Sequence, residues 1–230
     1  MIRFLLIDLD NTILDFDKAE AVALQKTLEM AGIRVTPEII AQYSQINKNH
    51  WLRLERKELT RDQVKVGRFQ VLFDELGIAA DALLISRTYE KLLSVGHYFL
   101  PGALEAIQRL SRRYRLFLAS NGTASVQHSR LKSAELYPYF EKIFISQELG
   151  ADKPAPEFFS RGIGQVEGFD PSQALMVGDS LSSDILGGIQ AGIPTCWVNP
   201  QGKAAPADIR PTYEISSITE LEALLEQLNA

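Results

Sequence analysis

The sequence predicts an α/β protein: a parallel sheet with helices on both faces, into which an all-helical cap domain is inserted. Three observations carry that prediction. Short apolar runs bounded by turn signals recur at Ile2 to Ile7, Arg115 to Ala119, Lys142 to Ile145, Ala174 to Val177 and Thr195 to Val198, the pattern of strands buried on both faces. Helical periodicity fills the intervals between the later runs, which implies parallel strands joined by crossover helices. From residue 15 to about residue 98 the periodicity is helical, with almost no strand signal.

Taken in order, Ile2 to Ile7 is the first strand. The helical interval that follows reads as Phe16 to Ala31, Thr36 to Asn47, His50 to Lys57, Thr60 to Gly77 and Ala80 to Val95. Gly32, Pro37 and Gly77 punctuate it, and Pro101-Gly102 marks the return to the sheet. Residues 1–14 and 99–230 are therefore assigned to a core domain and residues 15–98 to the cap. An insertion directly after the first strand is expected to overhang the carboxyl edge of the sheet. The core helices are expected at Gly102 to Arg113, Ala124 to Ala134, Pro156 to Val166, Ser182 to Ala191 and Ser217 to Leu228.

Hydrophobic residues make up 46% of the chain and charged residues 23%, ordinary globular usage that argues against disorder. A net charge of −5 argues against a nucleic acid polymer as partner, since such proteins present a basic face. With one cysteine, Cys196, no internal disulfide is possible, and the residue reads as a small buried hydrophobe. Met1 to Ile7 runs straight into acids and lacks the form of a secretory signal. No apolar run approaches the ~18 residues that span a bilayer. The expectation is a cytoplasmic protein without membrane contact, a monomer or homodimer. His50, His97 and His128 show no metal-ligand spacing.

The chemistry-bearing residues stand at strand ends, where open α/β sheets bind ligands. Asp8 and Asp10 follow the first strand, and alternation along an extended chain sends both carboxylates to one side. Two acids so close repel each other, and a divalent cation or a proton on one of them relieves the repulsion. The second strand ends in Ser120-Asn121-Gly122, whose hydroxyl and backbone N–H groups can hold phosphate oxygens. The same triplet also suits a plain turn and helix cap. Lys153 precedes Pro154, which keeps it out of a helical conformation on its loop. The fourth strand ends in Gly178-Asp179, with Asp184 five residues further on. Capping accounts for Ser182 or Ser183 there but leaves Asp179 unexplained. Asp8, Asp10, Asp179 and Asp184 together need a cation, and Lys153 supplies one charge.

Asp8-x-Asp10-x-Thr12, Ser120, Lys153-Pro154 and Gly178-Asp179-x-x-x-x-Asp184, in this order, resemble the four motifs of the haloacid dehalogenase superfamily of phosphohydrolases. The match spans the chain. It implies a Rossmann-like core with a helical cap, Asp8 as nucleophile and Asp10 as general acid/base. The dehalogenases of that superfamily lack the second acid, because a halide leaving group needs no proton. Asp10 thus points to phosphoryl transfer through an aspartyl phosphate. The resemblance further implies Mg2+ on the carboxylates of Asp8 and Asp179 and the backbone carbonyl of Asp10, with Asp184 supporting the site from behind. Ser120, Asn121 and Lys153 become the phosphate-binding set.

The cap run Ile46-Asn47-Lys48-Asn49-His50-Trp51, with Arg61-Asp62 and Arg68-Phe69, resembles the noncanonical pyrimidine nucleotidase branch. That likeness implies a 5'-nucleotidase, with Phe16 and Trp51 stacking on a base and Asn47 or Asn49 bonding its edge. Aromatic residues at helical spacing equally suit the cap's own core. A sugar-phosphate phosphatase, a phosphomutase on the same scaffold, and a non-enzymatic phospho-acceptor module are the other readings. In each the partner is a small phosphate monoester or its phosphoryl group.

Overall fold

The computed structural model describes residues 1–229. In chain order its main elements are β1 (Phe4–Ile7), α1 (Phe16–Met30), α2 (Pro37–Glu55), α3 (Arg61–Leu76), α4 (Ala82–Leu93), α5 (Ala103–Leu110), β2 (Arg115–Ser120), α6 (Ala124–Ser133), β3 (Lys142–Ile145), α7 (Ser146–Leu149), α8 (Pro156–Ile163), β4 (Ala174–Gly178), α9 (Leu186–Gln190), β5 (Thr195–Val198), β6 (Tyr213–Ile215) and α10 (Leu221–Asn229). The chain divides into two compact units, one of Met1–Asp15 with the chain from Tyr98 onward, the other Phe16–His97. No helix of the described residues is long and apolar enough to cross a membrane.

The first unit is built on one parallel sheet in the order β3-β2-β1-β4-β5-β6. Its strands are apolar at nearly every position because both faces are covered. Leu5, Ile7, Leu116, Leu118, Leu175 and Val177 face a core completed by Ile107, Leu110, Leu131, Leu221 and Leu225 of α5, α6 and α10. The alternate residues Phe4, Leu6, Phe117, Ala119, Ala174 and Met176 face Phe158 and Phe159 of α8. One side chain per strand step goes to each layer, as the pleat requires.

The strand order reverses at β1. The chain runs outward from β1 to β2 and β3, then returns to β4 on the other side of β1, so β1 lies between β2 and β4. Ile7 pairs with both Leu118 and Val177, which sets the residues after β1, β2 and β4 level at one edge. That reversal is the crevice where sheets of this kind bind ligands.

The second unit is the four-helix stretch α1 to α4. Thr36 caps α2, and Thr60 with Gln63 forms a capping box at α3. Tyr43, Phe69 and Tyr89 pack with ring centroids 5.0 to 5.6 Å apart. Buried among them are charges: Arg68 lies 4.8 Å over the Tyr89 ring and donates to Asn47 Oδ1 at 2.8 Å. The Asn47 amide donates in turn to Glu20 Oε2 at 2.5 Å.

Four local features differ from the sequence reading. The two helices expected at Thr36 to Asn47 and His50 to Lys57 are one helix, α2, since Lys48-Asn49 contains no breaker and His50 bonds the Ile46 carbonyl within the same turn. Residues 181–190 begin as a π turn, Leu181–Ile185, before becoming α9. The short α7 and the edge strand β6 are additional; β6 has three residues, one of them Glu214, too short and polar to register as an apolar run.

Candidate active site

The site assembles at the edge just described. The Asp8 N–H continues the ladder by donating to the Val177 carbonyl at 2.9 Å, which pins Asp8 against the end of β4. Beyond it the chain turns sharply, with Asn11 in the left-handed region at φ 56° and its N–H on the Leu14 carbonyl. Asp179 follows β4, and the Trp197 indole of the neighbouring strand holds its carbonyl at 2.8 Å. The π turn brings Asp184 back over Gly178, while the Ser180 N–H donates to Asp184 Oδ2 at 3.1 Å. A Cβ on residue 178 would lie 2.2 Å from that same oxygen, so glycine is what the approach demands. Single π turns of this sort are frequent at functional sites.

Lys153 is the central cation. It is buried, and its Nζ donates to Asp8 Oδ1 at 2.7 Å, Asp184 Oδ1 at 2.5 Å and the Ala119 carbonyl at 2.5 Å. Burial works against its charge, yet Asp184 and Asp8 outweigh that and hold the ammonium above its ordinary range. The Lys153–Pro154 bond is cis. The Asn121 side chain grips the Lys153 backbone from both sides, accepting from its N–H at 2.8 Å and donating to its carbonyl at 2.9 Å. The Asn121 side chain, expected among the phosphate-binding groups, anchors the loop that aims Lys153.

One carboxylate oxygen from each of Asp8, Asp179 and Asp184 lies within 4.8 Å of the others. Burial raises Asp8 from the ordinary 3.8 to about 7, against the pull of Lys153 and with the push of Asp184 and Asp10. Asp179 keeps a partly exposed edge, but protein surrounds most of its carboxyl; burial, with Asp8 and Asp184 alongside, pushes it well above the usual range. With one ammonium among them, the three carboxyl groups can all ionise in this low-dielectric place only if a further positive charge joins them. An all-oxygen donor set with that requirement fits a small divalent cation such as Mg2+.

Asp10 lies beside this cluster and is held by residues the sequence reading did not single out. Gln127 Nε2 donates to Asp10 Oδ2 at 2.7 Å and to Ser120 Oγ at 2.8 Å, and Arg130 pairs with Asp10 Oδ1. Both belong to α6, three residues apart and so on one helical face. The available signal was Arg130, a charge between apolar Val126 and Leu131 on a helix expected to face the sheet. Ser120, Asp10, Asp8, Lys153, Asp179 and Asp184 thus form one contiguous group of side chains in the first unit. The expected specificity residues belong to the second. Phe16 opens α1, Trp51 is half-buried under the Arg61 guanidinium at 5.4 Å, and the Asn47 amide is engaged at both ends by Glu20 and Arg68.

Comparison with known proteins agrees with this geometry. The family described as haloacid dehalogenase-like hydrolase matches residues 5–198. Pyrimidine 5'-nucleotidase PynA of Streptococcus pneumoniae is 37% identical over 98% of this chain and 95% of its own. Pyrimidine 5'-nucleotidase YjjG of Escherichia coli is 33% identical over 95% of each. The crystal structure of the HAD-hydrolase YfnB from Bacillus subtilis, bound to magnesium, superposes with a TM-score of 0.93 at 40% identity, covering 97% of this chain and 98% of that one. The chain belongs to the haloacid dehalogenase-like hydrolase family and is an enzyme of that family.

Proposed function

We propose that this enzyme is a magnesium-dependent phosphatase that hydrolyses pyrimidine nucleoside 5'-monophosphates through an aspartyl phosphate on Asp8. The observation that carries the proposal is the pairing of Asp8, set against Lys153 and Asp184, with a second acid at Asp10. The nucleotide assignment is supported by the likeness to PynA and YjjG along nearly the whole chain.

In this mechanism Lys153 holds the Asp8 carboxylate in place, and an Asp8 oxygen attacks phosphorus in line. The bond from phosphorus to the ester oxygen breaks as Asp10 gives that oxygen a proton. Asp10 then takes a proton from water, which attacks the aspartyl phosphate and frees inorganic phosphate and the Asp8 carboxylate. A divalent cation held by Asp8, Asp179 and the Asp10 carbonyl would neutralise charge on the phosphoryl oxygens. Ser120 and Lys153 stabilise the same oxygens as the transferring group loosens. Base selection falls to the helical unit, through Phe16 and Trp51. Asn47 could contribute only by giving up Glu20 or Arg68.

The test is phosphate release across pyrimidine and purine nucleoside monophosphates and sugar phosphates, with magnesium supplied and then chelated. Pyrimidine nucleotides should give the highest kcat/KM, and chelator should abolish turnover. Preference for sugar phosphates would overturn the nucleotide assignment alone; full activity in chelator would overturn the metal.

A further inference from the structure

The mechanism gives no task to Gln127 and Arg130, although the fold buries both at the reacting edge. Arg130 is 0% exposed and Gln127 1%. Each oxygen of the Asp10 carboxylate is engaged by one of them, and Arg130 Nη1 also donates to Gln127 Oε1 at 3.0 Å. A buried guanidinium is costly, and an ion pair there stabilises a fold no better than apolar residues of similar volume. The pair also has a feature that packing does not need. The same Gln127 amide nitrogen reaches both Asp10 and Ser120, tying the acid/base to the phosphate-binding hydroxyl. Room has been left for it, because a Cβ on Gly122 would lie 2.4 Å from Gln127 Cγ.

We infer that Gln127 and Arg130 are positioning residues that fix the Asp10 carboxylate relative to the Ser120 hydroxyl, so that proton donor and phosphate contact are set together. The inference rests on the phosphatase reading. An aspartate free to turn about its side-chain torsions would spend most of its time aimed away from the leaving oxygen, so its loss of aim should be felt as poorer protonation of that oxygen. Such a loss depends on the leaving group. An alkoxide leaves only with a proton, whereas p-nitrophenolate leaves without help. The quantity kcat/KM counts steps only through the breaking of that bond, so later hydrolysis of the aspartyl phosphate does not mask the difference.

The experiment compares wild type with Gln127→Ala, Arg130→Met and Arg130→Lys, using p-nitrophenyl phosphate and the best nucleoside or sugar monophosphate from the screen above. Thermal melting identifies the folded variants, and Gln127→Ala keeps the test open should Arg130→Met fail to fold, because it disturbs no charge. In Gln127→Ala, and in Arg130→Met if folded, the ratio of alkyl to aryl kcat/KM should fall by about tenfold or more, with Arg130→Lys recovering part of it. Equal loss on both substrates in folded protein, or no loss on either, would reduce the cluster to packing and overturn the assignment. A wild type that releases phosphate from neither substrate would instead overturn the phosphatase reading, and this assignment with it.

Discussion

At the scale of single residues, the site is a problem of too many acids solved by close contact. Asp184 meets both Lys153 and the Ser180 N–H, and it can do so only because residue 178 has no side chain. Gly178→Ala should force Asp184 off Lys153, at about 1–3 kcal/mol for the overpacking. A shift of about 1 Å in Asp184, next to the proposed nucleophile Asp8, should cost about 10²-fold in kcat/KM. Melting and kinetics on the purified variant check both, and wild-type values in the two would refute the contact argument. Residues of this kind were legible in the sequence because each stands where a buried apolar run stops: Asp8 and Asp179 just past β1 and β4, and Ser120 as the last residue of β2. Gln127 and Arg130 were not, because they reach the site from the middle of a helix and no strand end announces them. Asn121 stood at the right edge, but its side chain turns back to the Lys153 loop, a partner 32 residues away that local sequence does not reveal.

At the scale of elements, the parallel strands were legible for the same reason that they are stable. Phe4–Ile7 and Ala174–Gly178 are buried at every position, so both read as unbroken apolar runs. Tyr213–Ile215 at the sheet edge has one buried residue of three, and the signal fails with the burial. The helical unit shows the converse difficulty. Its helices are patterned clearly, but the roles of polar residues inside it depend on partners from other helices. Asn47 of α2 joins Glu20 of α1 to Arg68 of α3, and burial raises the Glu20 carboxyl despite its hydrogen bonds to Ser44 and Asn47. Asn47→Ala should leave buried groups on both neighbours unsatisfied, at about 1–3 kcal/mol each, and lower Tm by several degrees. A residue that only read a base edge would give the opposite result, a raised KM with Tm unchanged.

At the scale of the whole molecule, the two sides of the β1 reversal contribute different parts: Asp8 and Asp10 stand at the reversal, β2 and α6 supply Ser120, Gln127 and Arg130, and β4 leads into Asp179 and Asp184. Gathering those acids in a buried place costs stability in a pH-dependent way. Asp8 binds its proton more tightly when folded, about 7 against 3.8, so without metal its contribution is fully present below 3.8 and is lost as pH rises through about 7. In chelator, Asp8→Asn, which carries no such charge, should therefore gain Tm relative to wild type across that window; a relative loss would contradict the sign. Magnesium should raise the wild-type Tm at neutral pH and the variant's much less, since it binds the ionised carboxylate. The central claim is that Asp8 itself accepts the phosphoryl group. It is tested most directly by acid-quenching the enzyme during turnover of the best substrate and locating the phosphoryl group by peptide mass spectrometry. The account predicts one phosphoryl group on the peptide carrying Asp8, removable by hydroxylamine as an acyl phosphate is, and absent in Asp8→Asn. Phosphorylation at another residue, or turnover that persists undiminished in folded Asp8→Asn, would contradict it.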